Sequence, residues 1–487
     1  MAKVSVIGAG IAGIASAIRM AVKGHQVEVF EANTYPGGKL SDFSVNGYRF
    51  DAGPSLFTMP QYVDELFQLA GKNPRDYFNY QKLDTVCHYF YEDGTRIKAW
   101  ADRAKLAQEI AEKTEDSSAS VHRYLDYSSR IYDITHRIFL EKSLHRLKSY
   151  LNWQTLKSLL RFPQIDAFRS MNRANSSFFT DDKTIRFFNR YATYNGSNPY
   201  QAPATLNVIP HLEQHFGAYF PIGGMYAITT SLVTLAKELG VNFHFGEKVE
   251  EILVEDEQVK GVVLVNGQDF AADLVISNMD VWFTYKHLLK NEKAPKAIIN
   301  QERSSSALIF YWGINAQFPE LDVHNIFFTE DYQKEFKAIW EDQTLDADPT
   351  VYINISSKCQ PDDAPKGAEN WFVMINVPAN SGQDWDQLIT EARKHILDKL
   401  SRNLGRAIEP LIVCEEVLDP RKIEQKTASY QGALYGTSSN NQFAAFLRHA
   451  NFSSKLNGLY FVGGSVHPGG GIPLALLSAK IVDDLVA

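Results

Sequence analysis

A chain of 487 residues is long enough for two or three domains and a sizeable core. Its 45% hydrophobic and 22% charged residues are ordinary globular proportions, and a formal net charge of -8 gives no footing for nucleic-acid binding. Three widely spaced cysteines, Cys87, Cys359 and Cys414, form neither a metal-ligand spacing nor a disulfide framework. A cytoplasmic protein without a metal is therefore expected. No stretch reaches the ~18 apolar residues of a membrane span.

The predicted elements begin with a strand at Val4–Ile7. Apolar residues at Ile11, Ile14, Ile18 and Val22 then have helical spacing, ended by Gly24, and a second strand covers Val27–Phe30. This is a βαβ opening. Residues 102 to 173 read mainly as helix. A further helix opens after Ile222-Gly223-Gly224-Met225 and runs to Leu239. Short strands follow at Asn242–Phe245, Val249–Val254, Gly261–Val265 and Leu274–Ser277, a meander returning to the first sheet. Between 305 and 420, strands are expected at Ala307–Ile314, Asn325–Phe328, Val351–Ile355, Trp371–Val377 and Ile412–Val417. A patterned helix spans Trp385 to Leu404, and the polar stretch 356–370 is expected to be a surface loop.

Gly8-Ala9-Gly10-Ile11-Ala12-Gly13 matches GxGxxG in the strand-to-helix context that gives the motif meaning. Gly8 suits a tight turn, Gly10 lets backbone approach a pyrophosphate, and Gly13 lets helix and sheet pack closely. The helix start offers unpaired N–H groups and a positive dipole end to phosphates. Glu31, followed by Ala32, stands about where a ribose-binding carboxylate belongs. Just beyond, Gly37-Gly38-Lys39-Leu40 forms a glycine turn with a cation available to a phosphate. Gly53-Pro54-Ser55 supplies backbone without bulk, suited to lie against a flat ring. Near the C-terminus, Gly463-Gly464-Ser465 ends an apolar strand, and Gly471-Ile472-Pro473 opens a helix, with proline where its missing N–H is not needed. A flavin pyrimidine is expected at that helix start, where the dipole favours charge developing on reduction.

These motifs, with Phe50–Pro60, Tyr219–Met225, Ser277-Asn278-Met279-Asp280 and His467-Pro468-Gly469, resemble the bacterial-type carotenoid (phytoene) desaturase family of FAD oxidoreductases over the whole chain. Phe50 to Phe67 looks most like the branch that desaturates the 3,4 bond of 1-hydroxycarotenoids. The resemblance implies an α/β fold: a discontinuous Rossmann-like FAD-binding domain (1–65, 205–285 and 430–487), a mixed-sheet substrate domain (66–100 and 286–429), and a helical, membrane-facing region (101–204). It also places Val249 and Asn278 beside FAD.

The implied reaction removes a hydride and a proton from a long carotenoid and introduces a C=C bond, with oxygen or a quinone as electron acceptor. No catalytic dyad is evident. His467 is the least poor candidate for a general base, although a structural histidine explains it better. A phytoene desaturase, an isomerase or ketolase, an amine oxidase, and a non-catalytic lipid-escort protein are the competing readings. Residues 121–175 carry ten Lys or Arg against four acids, with Trp153 and several leucines between them. That mixture is expected to attach the protein peripherally to an anionic membrane.

Overall fold

The structure is a computed structural model and describes residues 1–136, 140–146, 161–441 and 448–486. A parallel five-stranded sheet forms its first layer. It contains β1 (Lys3–Ile7), β2 (Gln26–Glu31), β3 (Asn242–Phe245), β4 (Leu274–Ser277) and β5 (Leu459–Phe461), in the order β3-β2-β1-β4-β5. The predicted βαβ unit is thus central, and strands from the middle and the end of the chain flank it. The helices α1 (Ile11–Val22), α2 (Tyr226–Glu238) and α3 (Ile472–Leu485) pack together. Small residues make this contact close: Ala12, Ala15 and Ala17 are buried, and a Cβ on Gly13 would lie 2.1 Å from the Gly8 carbonyl oxygen.

The second layer is a mixed seven-stranded sheet in the order Ile412–Leu418, Ser306–Ile314, Glu369–Val377, Val351–Asn354, His324–Phe327, Thr85–Phe90 and Arg96–Trp100. All neighbours are antiparallel except Thr85–Phe90 with His324–Phe327. Its five strands after residue 305 stand where sequence patterning puts them, and the helix Trp385–Leu404 covers one face. Three indoles buried there each donate their N–H: Trp312 to Glu415 (2.6 Å), Trp371 to Glu369 (2.8 Å) and Trp385 to Asn380 (2.9 Å). Large rings are accommodated in a core when the polar edge is satisfied in this way.

The stretch 356–370 corrects the expectation of a surface loop. Ser356, Asp363 and Asn370 are buried, and Asp363 pairs with Arg49 at 3.3 Å. Polarity reads as exposure unless a distant partner satisfies it, and Arg49 lies more than three hundred residues earlier.

Candidate active site

One cavity of about 1220 Å³ lies between the two layers, bringing N-terminal, central and C-terminal motifs together. From the first βαβ unit it is lined by Gly8, Gly10, Ala12, Glu31 and Ala32; Ala9 and Gly13 stand behind that wall and do not line it. Gly38, Lys39, Leu40, Gly53, Pro54 and Ser55 line it from the following turns, and Val249 and Asn278 from the middle of the chain. Gly463, Gly464, Ser465, Gly471, Ile472 and Pro473 close it from the C-terminal side, with His467 beside them.

Glu31 is buried at the end of β2. Its Oε2 accepts from the Ala9 N–H at 2.8 Å, and its Oε1 accepts from the Asn33 N–H at 2.9 Å and the Asn33 side-chain amide at 2.8 Å. Three of the carboxylate's roughly four acceptor positions are so filled, and one is left for a hydroxyl. Asn278 sits under the glycine turn, where a Cβ on Gly10 would come within 2.4 Å of its Nδ2. Lys39 lines the cavity with two of its three N–H donors engaged by the chain itself. Its Nζ donates to the carbonyls of Leu434 (2.8 Å) and Ala433 (3.3 Å), and burial pushes its pKa down to about 8.

At the C-terminal side, Ser465 Oγ accepts from the Val281 N–H at 3.0 Å, and the Gly463 N–H donates to Ser478 Oγ at 2.8 Å. His467 Nε2 donates to the Lys142 carbonyl at 3.0 Å. Burial pushes the His467 pKa down to about 3, so the ring is neutral and its remaining nitrogen is a poor base. Arg448 escaped sequence reasoning as a site residue. It is buried and donates to the carbonyls of Tyr435 (3.0 Å) and Gly464 (3.1 Å), tying two walls together. Arg190, Tyr194, Glu213, His324 and Tyr352 also line the cavity. Arg190 and Tyr194 share the short helix Arg190–Asn195, but Glu213, His324 and Tyr352 come from three other elements, so no local spacing could have joined the set.

These residues fit FAD. The starts of α1 and α3, at Gly10 and Gly471, carry no side-chain cap and open on the same cavity, so their N–H groups are available to anionic or developing charge. The neighbouring walls are bare backbone, and Glu31 keeps a hydroxyl-binding position. The rest of the lining is largely apolar and aromatic, including Leu56, Ile309, Tyr311, Ile326, Phe372 and Met374.

Comparison with known proteins agrees with this geometry. The model of the family described as flavin containing amine oxidoreductase matches residues 11–482. A 1-hydroxycarotenoid 3,4-desaturase from Flavobacterium sp. (strain P99-3) is 52% identical over 100% of this chain and 99% of its own length. A 4,4'-diapolycopene oxygenase from Methylomonas sp is 35% identical over 99% and 98%. Among solved structures, an oxidoreductase from Methanosarcina mazei superposes with a TM-score of 0.64 at 17% identity, covering 99% of this chain and 100% of that one. The chain belongs to the flavin-containing amine oxidoreductase family and is an FAD-dependent oxidoreductase.

Proposed function

We propose that this enzyme desaturates a carotenoid, introducing a C=C bond at the 3,4 position of a 1-hydroxylated polyene. The observation that carries the reading is this continuous cavity, which joins both uncapped helix starts to an apolar and aromatic lining. The 52% identity to a desaturase of that name supports the substrate class. In this reading residues 1–65, 205–285 and 430–487 hold FAD, 66–100 and 286–429 hold the substrate, and 101–204 faces the membrane.

When bound, FAD supplies the hydride acceptor. The chain's own residues position an apolar rod against it and keep water out. Leu56, Ile309, Ile326, Phe372 and Met374 provide that dry wall. Tyr311 donates its hydroxyl to the Ala52 carbonyl at 2.7 Å, which fixes the Gly53–Ser55 turn. Because a polyene spreads the charge left by hydride loss and so acidifies the adjacent C–H, no strong base is demanded of the chain. The weak basicity of buried His467 is compatible with that, and its role here is to hold the turn.

Among the described residues no helix is long and apolar enough to cross a membrane. So apolar a substrate must nonetheless come from lipid, and peripheral attachment through the basic stretch 121–175 is part of the proposal. Lys148, Trp153 and Lys157, which carry much of that argument, lie outside the described residues. Oxygen or a membrane quinone is the proposed final acceptor. Incubation with a 1-hydroxylated carotenoid in liposomes, followed by chromatography and mass analysis, tests the reading. A product lighter by one H2 with a longer chromophore is expected; an isomer of unchanged mass would contradict it.

A further inference from the structure

The cavity wall contains a charge-paired cluster that neither FAD binding nor hydride transfer uses. Arg190 and Glu213 are 5% and 1% exposed. Arg190 Nη2 donates to Glu213 Oε1 at 3.2 Å, and its Nη1 donates to the Tyr194 hydroxyl at 2.9 Å. Tyr194 in turn donates to Glu213 Oε2 at 2.6 Å, and Tyr191 to Oε1 at 2.5 Å. The guanidinium also lies against the rings of Tyr191 (4.3 Å from the centroid), Tyr89 (5.0 Å) and Tyr194 (5.1 Å). Burial opposes its charge, yet Tyr194, Tyr89 and Glu213 hold its pKa above the ordinary arginine value.

This cluster is not saturated. Arg190 Nε has no partner among the described residues, and a guanidinium carries five N–H donors. Glu213 accepts three bonds of the roughly four that a carboxylate can take. Spare donors beside a spare acceptor complement a hydroxyl, which accepts and donates at once.

A second polar group lies on the same wall. His324 Nδ1 is 2.7 Å from the Tyr352 hydroxyl and 3.3 Å from Asn354 Nδ2. The Asn354 amide nitrogen can only donate, so Nδ1 is the acceptor and the proton of the neutral ring sits on Nε2. That nitrogen is buried and has no partner among the described residues. Tyr352 also bonds Ser55 at 2.7 Å, which links this wall to the turn proposed to lie against the flavin.

Apolar walls attract a polyene without direction, so they cannot set which bond meets the reacting centre. A rod held only by such walls can slide along its length. A buried ion pair is also costly to place where only hydrocarbon is bound. We propose that Arg190 and Glu213, supported by Tyr194, bind the hydroxyl of an oxygenated polyene end group and thereby fix its register. The inference rests on the desaturase reading. One methylene separates a hydroxyl-bearing C1 from C3, so fixing the hydroxyl also fixes the 3,4 bond.

The test compares kcat/KM for a 1-hydroxylated carotenoid with that for its counterpart bearing hydrogen in place of the hydroxyl. Wild type should prefer the hydroxylated substrate by on the order of a hundredfold or more, as a site built to bond a hydroxyl does. In Glu213→Gln that ratio should fall by about tenfold, and in Tyr194→Phe by about threefold. A merely structural role would slow both substrates alike and leave the ratio unchanged. A wild-type ratio near unity, or wild-type ratios in both variants, would overturn the inference while leaving desaturation standing. If Glu213→Gln does not fold, the ratio in Tyr194→Phe decides. Conversion of neither substrate by flavin-loaded wild type would instead overturn the desaturase reading itself, and this inference with it.

Discussion

At Glu31, one carboxylate closes the end of β2 onto the glycine turn and still has an acceptor position to offer. Glu31→Gln keeps the shape but replaces one acceptor oxygen by a donor, which then faces a backbone N–H. FAD affinity should fall by about 1–2 kcal/mol with the fold intact. Titration of the apoprotein checks this, and unchanged affinity would remove Glu31 from the site. Gly10→Val places a branched side chain where even a Cβ would crowd Asn278. The expected result is colourless or misfolded protein; a folded variant with full flavin content would contradict the placement of α1. The glycine motifs were legible in the sequence because each is local, with its spacing and its strand-to-helix context both in view. The Arg190–Glu213 pair was not. Its members stand on different elements and meet only in the folded cavity.

Among the elements, the long helix and the strands after residue 305 were readable, whereas Thr85–Phe90 and Arg96–Trp100 of the same sheet, with six and five residues, were not. The helix Trp385–Leu404 and the five strands between 306 and 418 are found where patterning predicts them. Shorter elements were missed: Phe57–Thr58 and Tyr80–Lys82 both pair with Ala218–Pro221, yet two or three residues carry no periodicity. The N-terminus of α2 shows a different kind of hidden link. Asp51 accepts the N–H groups of Met225 (2.9 Å) and Tyr226 (3.2 Å) and pairs with Arg49 at 2.8 Å. A carboxylate at the tip of the Tyr48–Asp51 strand thus caps a helix that begins far along the chain. Asp51→Ala removes that cap and leaves the Met225 and Tyr226 N–H groups and Arg49 Nη2 without the carboxylate they donate to. Stability should drop by on the order of 3 kcal/mol, read by urea denaturation. A loss below about 0.5 kcal/mol, the scale of a surface change, would contradict that role.

For the whole molecule, a parallel sheet and a mixed sheet hold one cavity between them, and the glycine motifs from both ends of the chain open onto it. The membrane is the other whole-molecule question. If residues 121–175 form the anchor, co-sedimentation with liposomes should depend on anionic lipid. Replacing Lys148, Lys157 and Arg161 together by glutamate should reduce it, with flavin content unchanged. Full sedimentation of that variant would place the anchor elsewhere. Desaturation at the flavin is tested most directly by anaerobic mixing of the FAD-loaded protein with a 1-hydroxylated carotenoid. The account predicts bleaching of the oxidised flavin band, one flavin reduced for each C=C bond formed. Product formed without bleaching, or bleaching by amines and not by the carotenoid, would contradict it.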